Sequence, residues 1–221
     1  MSLKNIIISF SGLDSSGKGT QINLFEDFLK VNKIKYKKIW ARGSWTPGIE
    51  LIKKIVRQDR NFTNEQKEKY RKEARSNPKK QKVILILSIL DLFWFWAIYY
   101  RWINFTGKAL ICDRYIWDTL VDFRVNFATH NFEKWLIWKI LLKLIPNPTI
   151  SCLFVITAQE SYDRGIKKEE AHMETFEIKL LKSHEYKKLI DQNKWTNVID
   201  GNLEINKIQE IVQKAFINEN R

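Results

Sequence analysis

The chain has 221 residues, 44% of them hydrophobic, and a formal net charge of +13, which is enough for one sizeable domain and too short for two comfortable ones. Two cysteines in apolar runs, without metal-ligand spacing, exclude a disulfide framework and suit a reducing compartment. The lysines are spread through residues 30–38, 53–82 and 167–194 while the tryptophans sit in apolar segments, so the charge reads as solvated helix faces and no nucleic-acid partner is expected.

The start, MSLKN, runs into a strand without a charged-then-apolar leader, so a cytoplasmic location is expected. Ile6, Ile7, Ile8 and Phe10 form a short apolar run, the pattern of a strand buried on both faces of a parallel sheet. Gly12, Gly17 and Lys18 then complete Gly-x-x-x-x-Gly-Lys. This is a loop whose backbone N–H groups curl around phosphates, whose lysine reaches the β- and γ-phosphates, and whose helix adds a positive dipole end. Gly12, Ser15, Ser16, Gly17, Lys18, Gly19, Thr20 and Gln21 are therefore the expected nucleotide-binding residues. Gly19 stands where a hydroxyl residue ordinarily meets the metal, and Thr20 follows one residue late.

Leu24, Phe25, Phe28 and Leu29 recur at helical spacing over residues 20–32, and a second strand is expected over 35–40. Turn residues at 41–48 follow, with Arg42 at the carboxyl edge where open α/β sheets bind ligands. Helices are expected at 49–57 and 64–76, the latter almost wholly polar. Asn77-Pro78 marks a break before a long apolar helix over 79–105 that Gly107 ends. Within it, residues 83–100 carry a single charge, Asp91, and meet the length of a membrane span. A carboxylate is costly at the centre of a bilayer, so the segment reads as a helix between a sheet and a second subunit, and a homodimer is expected.

A buried strand at 109–112 delivers Asp113-Arg114-Tyr115. Helices follow at 117–127 and 132–144, and the turn Pro146-Asn147-Pro148 precedes a fourth strand at 149–156. A basic helix holding Arg164, Lys167 and Lys168, a helix over 173–192, a fifth strand at 195–199 and a helix over 203–216 complete the chain. The alternation predicts an α/β fold, a five-stranded parallel sheet with helices on both faces.

These landmarks together resemble the thymidylate kinases, P-loop nucleoside-monophosphate kinases, over nearly the whole chain. The resemblance implies a P-loop NTPase fold forming one kinase domain over residues 1–221, with a short lid around 160–175, and use of ATP and Mg²⁺. Asp14, inside the loop, resembles the family's acidic residue that receives the sugar 3′-hydroxyl of the acceptor. Asp113-Arg114-Tyr115 matches the family's Asp-Arg-Tyr, which implies that Arg114 grips the acceptor phosphate and Asp113 orders the metal. Arg42 matches a second acceptor-phosphate arginine in part, since the family's Arg-Glu-Pro-Gly-Gly is here Arg-Gly-Ser-Trp-Thr-Pro-Gly. Arg164 falls where the lid begins and is expected to act on the transferring phosphate.

The base pocket departs most from the family. Ile89 and Phe93 fall near the places of its stacking phenylalanine and of the arginine four residues on, and no arginine appears until Arg101, so Phe93 is the residue expected to stack on a base. The expected reaction is transfer from ATP to a nucleoside monophosphate, dTMP first. The rival readings are a kinase of another nucleoside or phosphorylated metabolite, and a non-catalytic nucleotide-binding protein docked on anionic membrane.

Overall fold

Continuous buried runs on the central strands and an apolar face on the helices that flank them set the architecture of this computed structural model, which describes residues 6–40, 77–170 and 173–219. The expected turn at 41–48 with Arg42, and the helices at 49–57 and 64–76, lie outside the described residues. Strand β1 (Ile7–Gly12) is buried throughout and pairs in parallel with β3 (Ala109–Asp113) on one side and β4 (Ile150–Val155) on the other. β2 (Tyr36–Trp40) and β5 (Asn197–Asp200) form the edges, so the order is β2-β3-β1-β4-β5 and every pairing is parallel, as expected.

Helices α1 (Lys18–Val31) and α8 (Ile205–Glu219) share one core with the sheet, in which Phe25 meets Phe10 at 6.1 Å and Phe216 at 5.5 Å between ring centroids. Phe154 stacks on Phe10 at 5.9 Å. Truncating a ring such as Phe25 to Ala costs roughly 3–5 kcal/mol. Cys112 and Cys152 lie inside this sheet as free thiols, and burial pushes Cys152 up to about 12, which leaves it inert. The remaining helices of this unit are α4 (Ile116–Asn126), α6 (Ala158–Lys167) and α7 (Phe176–Ile190). α7 starts later than residue 173 because Thr175 holds extended dihedrals and caps the helix with its hydroxyl.

Close packing divides the chain into two units, Met1–Arg42, Ile103–Val125 and Asn147–Arg221 in one, Gly43–Trp102 and Asn126–Pro146 in the other. The described part of the second unit is helical. α2 (Pro78–Trp94) begins where Asn77 accepts the N–H groups of Lys79 and Lys80 and Pro78 takes the first helical position. It continues through a π-turn (Phe95–Tyr99) into α3 (Tyr100–Phe105), and Gly107 closes the run at φ 66°. The expected helix over 132–144 is interrupted: a 3₁₀ turn (Phe132–Lys134) precedes α5 (Leu136–Leu144), because Trp135 is extended. α5 packs on α2.

The stretch Pro78–Ile103 is long and apolar enough to cross a membrane, and 44% of its most apolar window is buried. Ile89, Leu92 and Trp96 face inward, while Val83, Leu90, Trp94, Ile98 and Trp102 are exposed.

Candidate active site

The loop after β1 keeps its shape through backbone conformations that few residues tolerate. Gly12 has φ 136°, and a Cβ there would stand 2.4 Å from the carbonyl oxygen of Phe154, so no other residue fits. Ser15 takes φ 60° and Gly17 φ 91°, after which α1 starts with no side chain capping its first N–H groups. Those donors and the dipole end are left for an anion. The loop opens on a cavity of about 260 Å³ lined by residues 14–20 with Trp40, Asp113, Arg114, Lys168 and Glu170. It lies at the carboxyl ends of β1, β2 and β3, where the strand order reverses.

Lys18, the residue expected to reach the phosphates, is buried. Its ammonium donates to Gly12 O (3.0 Å), Leu13 O (2.5 Å) and Ser16 Oγ (3.2 Å). The loop carbonyls fold onto the nearest cation, which takes it out of water. Burial first, then the charge of Arg114, pushes its pKa down from 10.5 to about 7.

Arg114 sits at φ 77°, a left-handed conformation costly for a non-glycine residue, directly after β3. That turn carries its buried guanidinium over the loop, where Nη1 donates to Gly12 O (2.7 Å) and Nη2 pairs with the Asp14 carboxylate. Burial opposes its charge, but Asp14, the Tyr186 oxygen and Asp118 together raise its pKa well above the ordinary value. Asp113, beside it in the cavity, has its carboxyl pushed up by burial against the pull of Arg114 and Lys18.

The structure thus gathers Asp14, Ser15, Ser16, Gly17, Lys18, Gly19, Thr20, Asp113 and Arg114 on one cavity, with Gly12 directly beneath. Three expected residues lie elsewhere. Gln21 is buried, does not line the cavity and donates to Ile205 O (2.9 Å), a link to α8. Arg164 does not line the cavity and is held by Glu160 (2.6 Å), Gly201 O (3.2 Å) and Asn202 (2.9 Å), whereas Lys168 at the end of α6 reaches the cavity. Phe93 belongs to the second unit, half-buried on α2, and Arg101 turns its guanidinium to Ala97 O (2.7 Å).

Two features escaped the sequence reading. Glu170 accepts from Ser15 Oγ at 2.6 Å and brings a carboxylate to the cavity wall. Asp118, fully buried in the first turn of α4, accepts from Ser11 Oγ (2.6 Å), Gly12 N (3.2 Å), Tyr115 N (2.9 Å) and the Tyr186 hydroxyl (2.6 Å). An acid three residues after Asp-Arg-Tyr at a helix start was the available signal.

The family model described as thymidylate kinase matches residues 10–212. The chain belongs to the thymidylate kinase family. It is accordingly an ATP-dependent phosphotransferase, a kinase of the nucleoside-monophosphate class built on the P-loop fold. No curated protein gives a significant match to it.

The donor set fits what this family handles: a curled loop of N–H groups, a lysine and an arginine converge on a space of phosphate size. For a divalent metal, the cavity offers Asp113, since its other two carboxylates are engaged, Asp14 by Arg114 and Glu170 by Ser15. Among the described residues no group of three or more His, Cys, Asp or Glu side chains could hold such an ion. A thymidylate-kinase-family cation here would therefore depend on substrate phosphates and water for most of its ligands.

Proposed function

We propose that the chain transfers the γ-phosphoryl group of ATP to a (deoxy)nucleoside monophosphate, with dTMP as acceptor and dTDP as product. The observation that carries this reading is the Arg114–Asp14 pair on the phosphate cavity. A loop that only held phosphates would gain nothing from a carboxylate among them, since like charges repel. Asp14 is suited instead to the 3′-hydroxyl of an acceptor sugar, with Arg114 turned to that acceptor's phosphate.

In this mechanism an acceptor phosphate oxygen, already anionic at neutral pH, attacks the γ-phosphorus as its bond to the ADP oxygen breaks, and no general base is needed. Lys18 exchanges the carbonyls of Gly12 and Leu13 for phosphate oxygens, and Arg114 follows the charge as it spreads over the moving group. Mg²⁺ would offset charge on the donor phosphates beside Asp113. Lys168 supplies a cation from the 160–175 segment, and Arg164 joins it by exchanging Glu160 and Asn202 for a phosphate. Arg42 is assigned to the acceptor phosphate and Phe93 to the base.

A coupled ADP-release screen over the common nucleoside monophosphates tests the assignment, with dTMP expected to give the fastest release. Retained ATP binding with no release for any acceptor would leave a non-catalytic nucleotide binder.

The exposed apolar side chains of α2 and α3 favour a second copy of the chain as partner. Light scattering of detergent-free protein is expected to give a dimer, and sedimentation with anionic liposomes would favour membrane docking instead.

A further inference from the structure

α7 presents an unusual inner face. Its buried positions are Lys179, Lys182, Tyr186 and Leu189, a helical stripe in which two lysines occupy places ordinarily held by aliphatic residues. Lys179 is 0% exposed, and its ammonium donates to Ser161 Oγ (2.8 Å) and Ser161 O (3.1 Å). The Ser161 hydroxyl in turn donates to the backbone carbonyl of Asp14 (2.7 Å). One side of the phosphate loop is thus tied to α7 through a relay of two hydrogen bonds.

Seven residues on, about 10 Å along the same face, Tyr186 reaches the other side. Its hydroxyl donates to Asp118 Oδ1 (2.6 Å), the oxygen that receives the Gly12 N–H (3.2 Å) and faces Arg114 Nη1 (3.4 Å). Burial, with Asp118 adjoining, raises the Tyr186 pKa well above the usual phenol, so the hydroxyl keeps its proton and remains a donor. The full connection runs Lys179, Ser161, Asp14, Arg114, Asp118, Tyr186, and α7 closes it at both ends.

Burying an ammonium against two neutral oxygens is costly for the fold, and it is placed one hydroxyl away from the loop. We propose that Lys179 and Tyr186 are positioning residues that set the shape of the phosphate loop and the Arg114–Asp14 pair from behind, acting through Ser161 and Asp118. In its consequence for turnover this rests on the transfer reaction proposed above. It gives α7, which follows the 160–175 segment in the chain, a direct hold on the residues that meet donor and acceptor.

The test compares three variants on one buried face. Lys179→Met keeps length and removes the charge, and Tyr186→Phe removes one hydroxyl. Lys182→Met is the matched control, because among the described residues the ion pairs of Lys182 are to Asp122 and Glu174 (2.5 Å each) and not to the loop. At a temperature where circular dichroism shows all three folded, Lys179→Met and Tyr186→Phe are each expected to lower kcat by roughly tenfold to a hundredfold, the scale of a sub-ångström to 1 Å misplacement. Calorimetric ADP affinity is expected to fall about tenfold in both. Lys182→Met is expected to lower Tm while keeping kcat within about twofold of the parent.

Should Lys179→Met fail to fold, Tyr186→Phe and Lys179→Gln carry the comparison. Folded Tyr186→Phe and Lys179 variants with kcat and ADP affinity both within about twofold of the parent overturn the inference. A parent chain that transfers to no acceptor overturns the reaction instead, and the ADP affinities then decide the inference by the same margin.

Discussion

The two most eccentric helices of this protein invert the usual link between apolarity and burial. α2 is apolar nearly all round, yet Leu90 and Trp94 remain exposed, Trp94 at 47%. α7 is strongly basic, yet its inner face buries Lys179 and Lys182. The contrast separates two reasons for burial. α2 buries one stripe, and the rest stays outside whatever its hydropathy. α7 buries cations because Ser161, Asp122 and Glu174 offer the ammonium groups oxygens.

The largest expected effect tests whether the buried charges hold together as a set. Asp118→Ala leaves the donors of Ser11, Gly12, Tyr115 and Tyr186, with the Arg114 charge, facing an empty space. Breaking a buried pair in this way costs about 3–5 kcal/mol, to be measured by denaturant unfolding. A loss of no more than ordinary surface size would mean that water replaces the carboxylate freely.

Lys18→Met sharpens the comparison from the opposite direction. Among the described residues its ammonium has no carboxylate as a hydrogen-bond partner and is held out of water by loop carbonyls, so the fold gains little from it while the phosphates need it. Phosphoryl transfer is expected to fall by roughly 10²–10³-fold, with Tm unchanged or raised. A fall in Tm matching the loss of activity would make Lys18 a structural residue and undo the contrast.

Much of this was legible in the chain itself, for reasons of range. Ile6–Phe10, the Gly12–Lys18 spacing, Asn77-Pro78 and Gly107 act through neighbours a few residues away, and the strands, loop and helix ends follow them. The hub at Asp118 did not show because its partners lie far along the chain in separate elements, Ser11 at a separation of 107 residues and Tyr186 at 68. Lys179 and Lys182 read as solvent-facing, since helical periodicity counts lysine as polar. The resting partners of Arg164 did not show for a related reason: Asn202, 38 residues on, is invisible to a motif.

A smaller, graded effect follows from Lys18. Burial holds its pKa near about 7 in the free protein, whereas an ammonium among phosphates, or in the unfolded chain, stays protonated well above that. Nucleotide binding at about pH 8 therefore takes up close to one proton, and at about pH 6 almost none. Calorimetry in buffers of different ionisation enthalpy measures it. The same sign governs stability. The folded pKa is lower than the unfolded one, so the unfolded state binds the extra proton between about 7 and 10.5 and the cost of burying Lys18 fades as pH rises through that window. Proton uptake independent of pH would show that the loop carbonyls keep the ammonium charged.

The smallest expected effect on folding concerns the outer stripe of α2 and α3. Trp94 and Trp102 are eight residues apart, which in a regular helix would turn Trp102 about 80° away from Trp94. The π-turn at Phe95–Tyr99, with Tyr100 N–H bonded to Phe95 O, absorbs one extra residue and brings both rings back to the same side, where Trp102 is 63% exposed. Arg101, bent onto Ala97 O, leaves that side apolar. Since these rings are not packed inside their own unit, Trp94→Gln and Trp102→Gln are each expected to change unfolding free energy by no more than about 0.5 kcal/mol at concentrations where the protein is monomeric. If the proposed dimer forms through this stripe, the pair of substitutions is expected to shift light scattering from dimer to monomer while kcat per chain is retained. A loss of about 2 kcal/mol or more from either one, measured on the monomer, would place these tryptophans in the folded core and remove the contrast with α7.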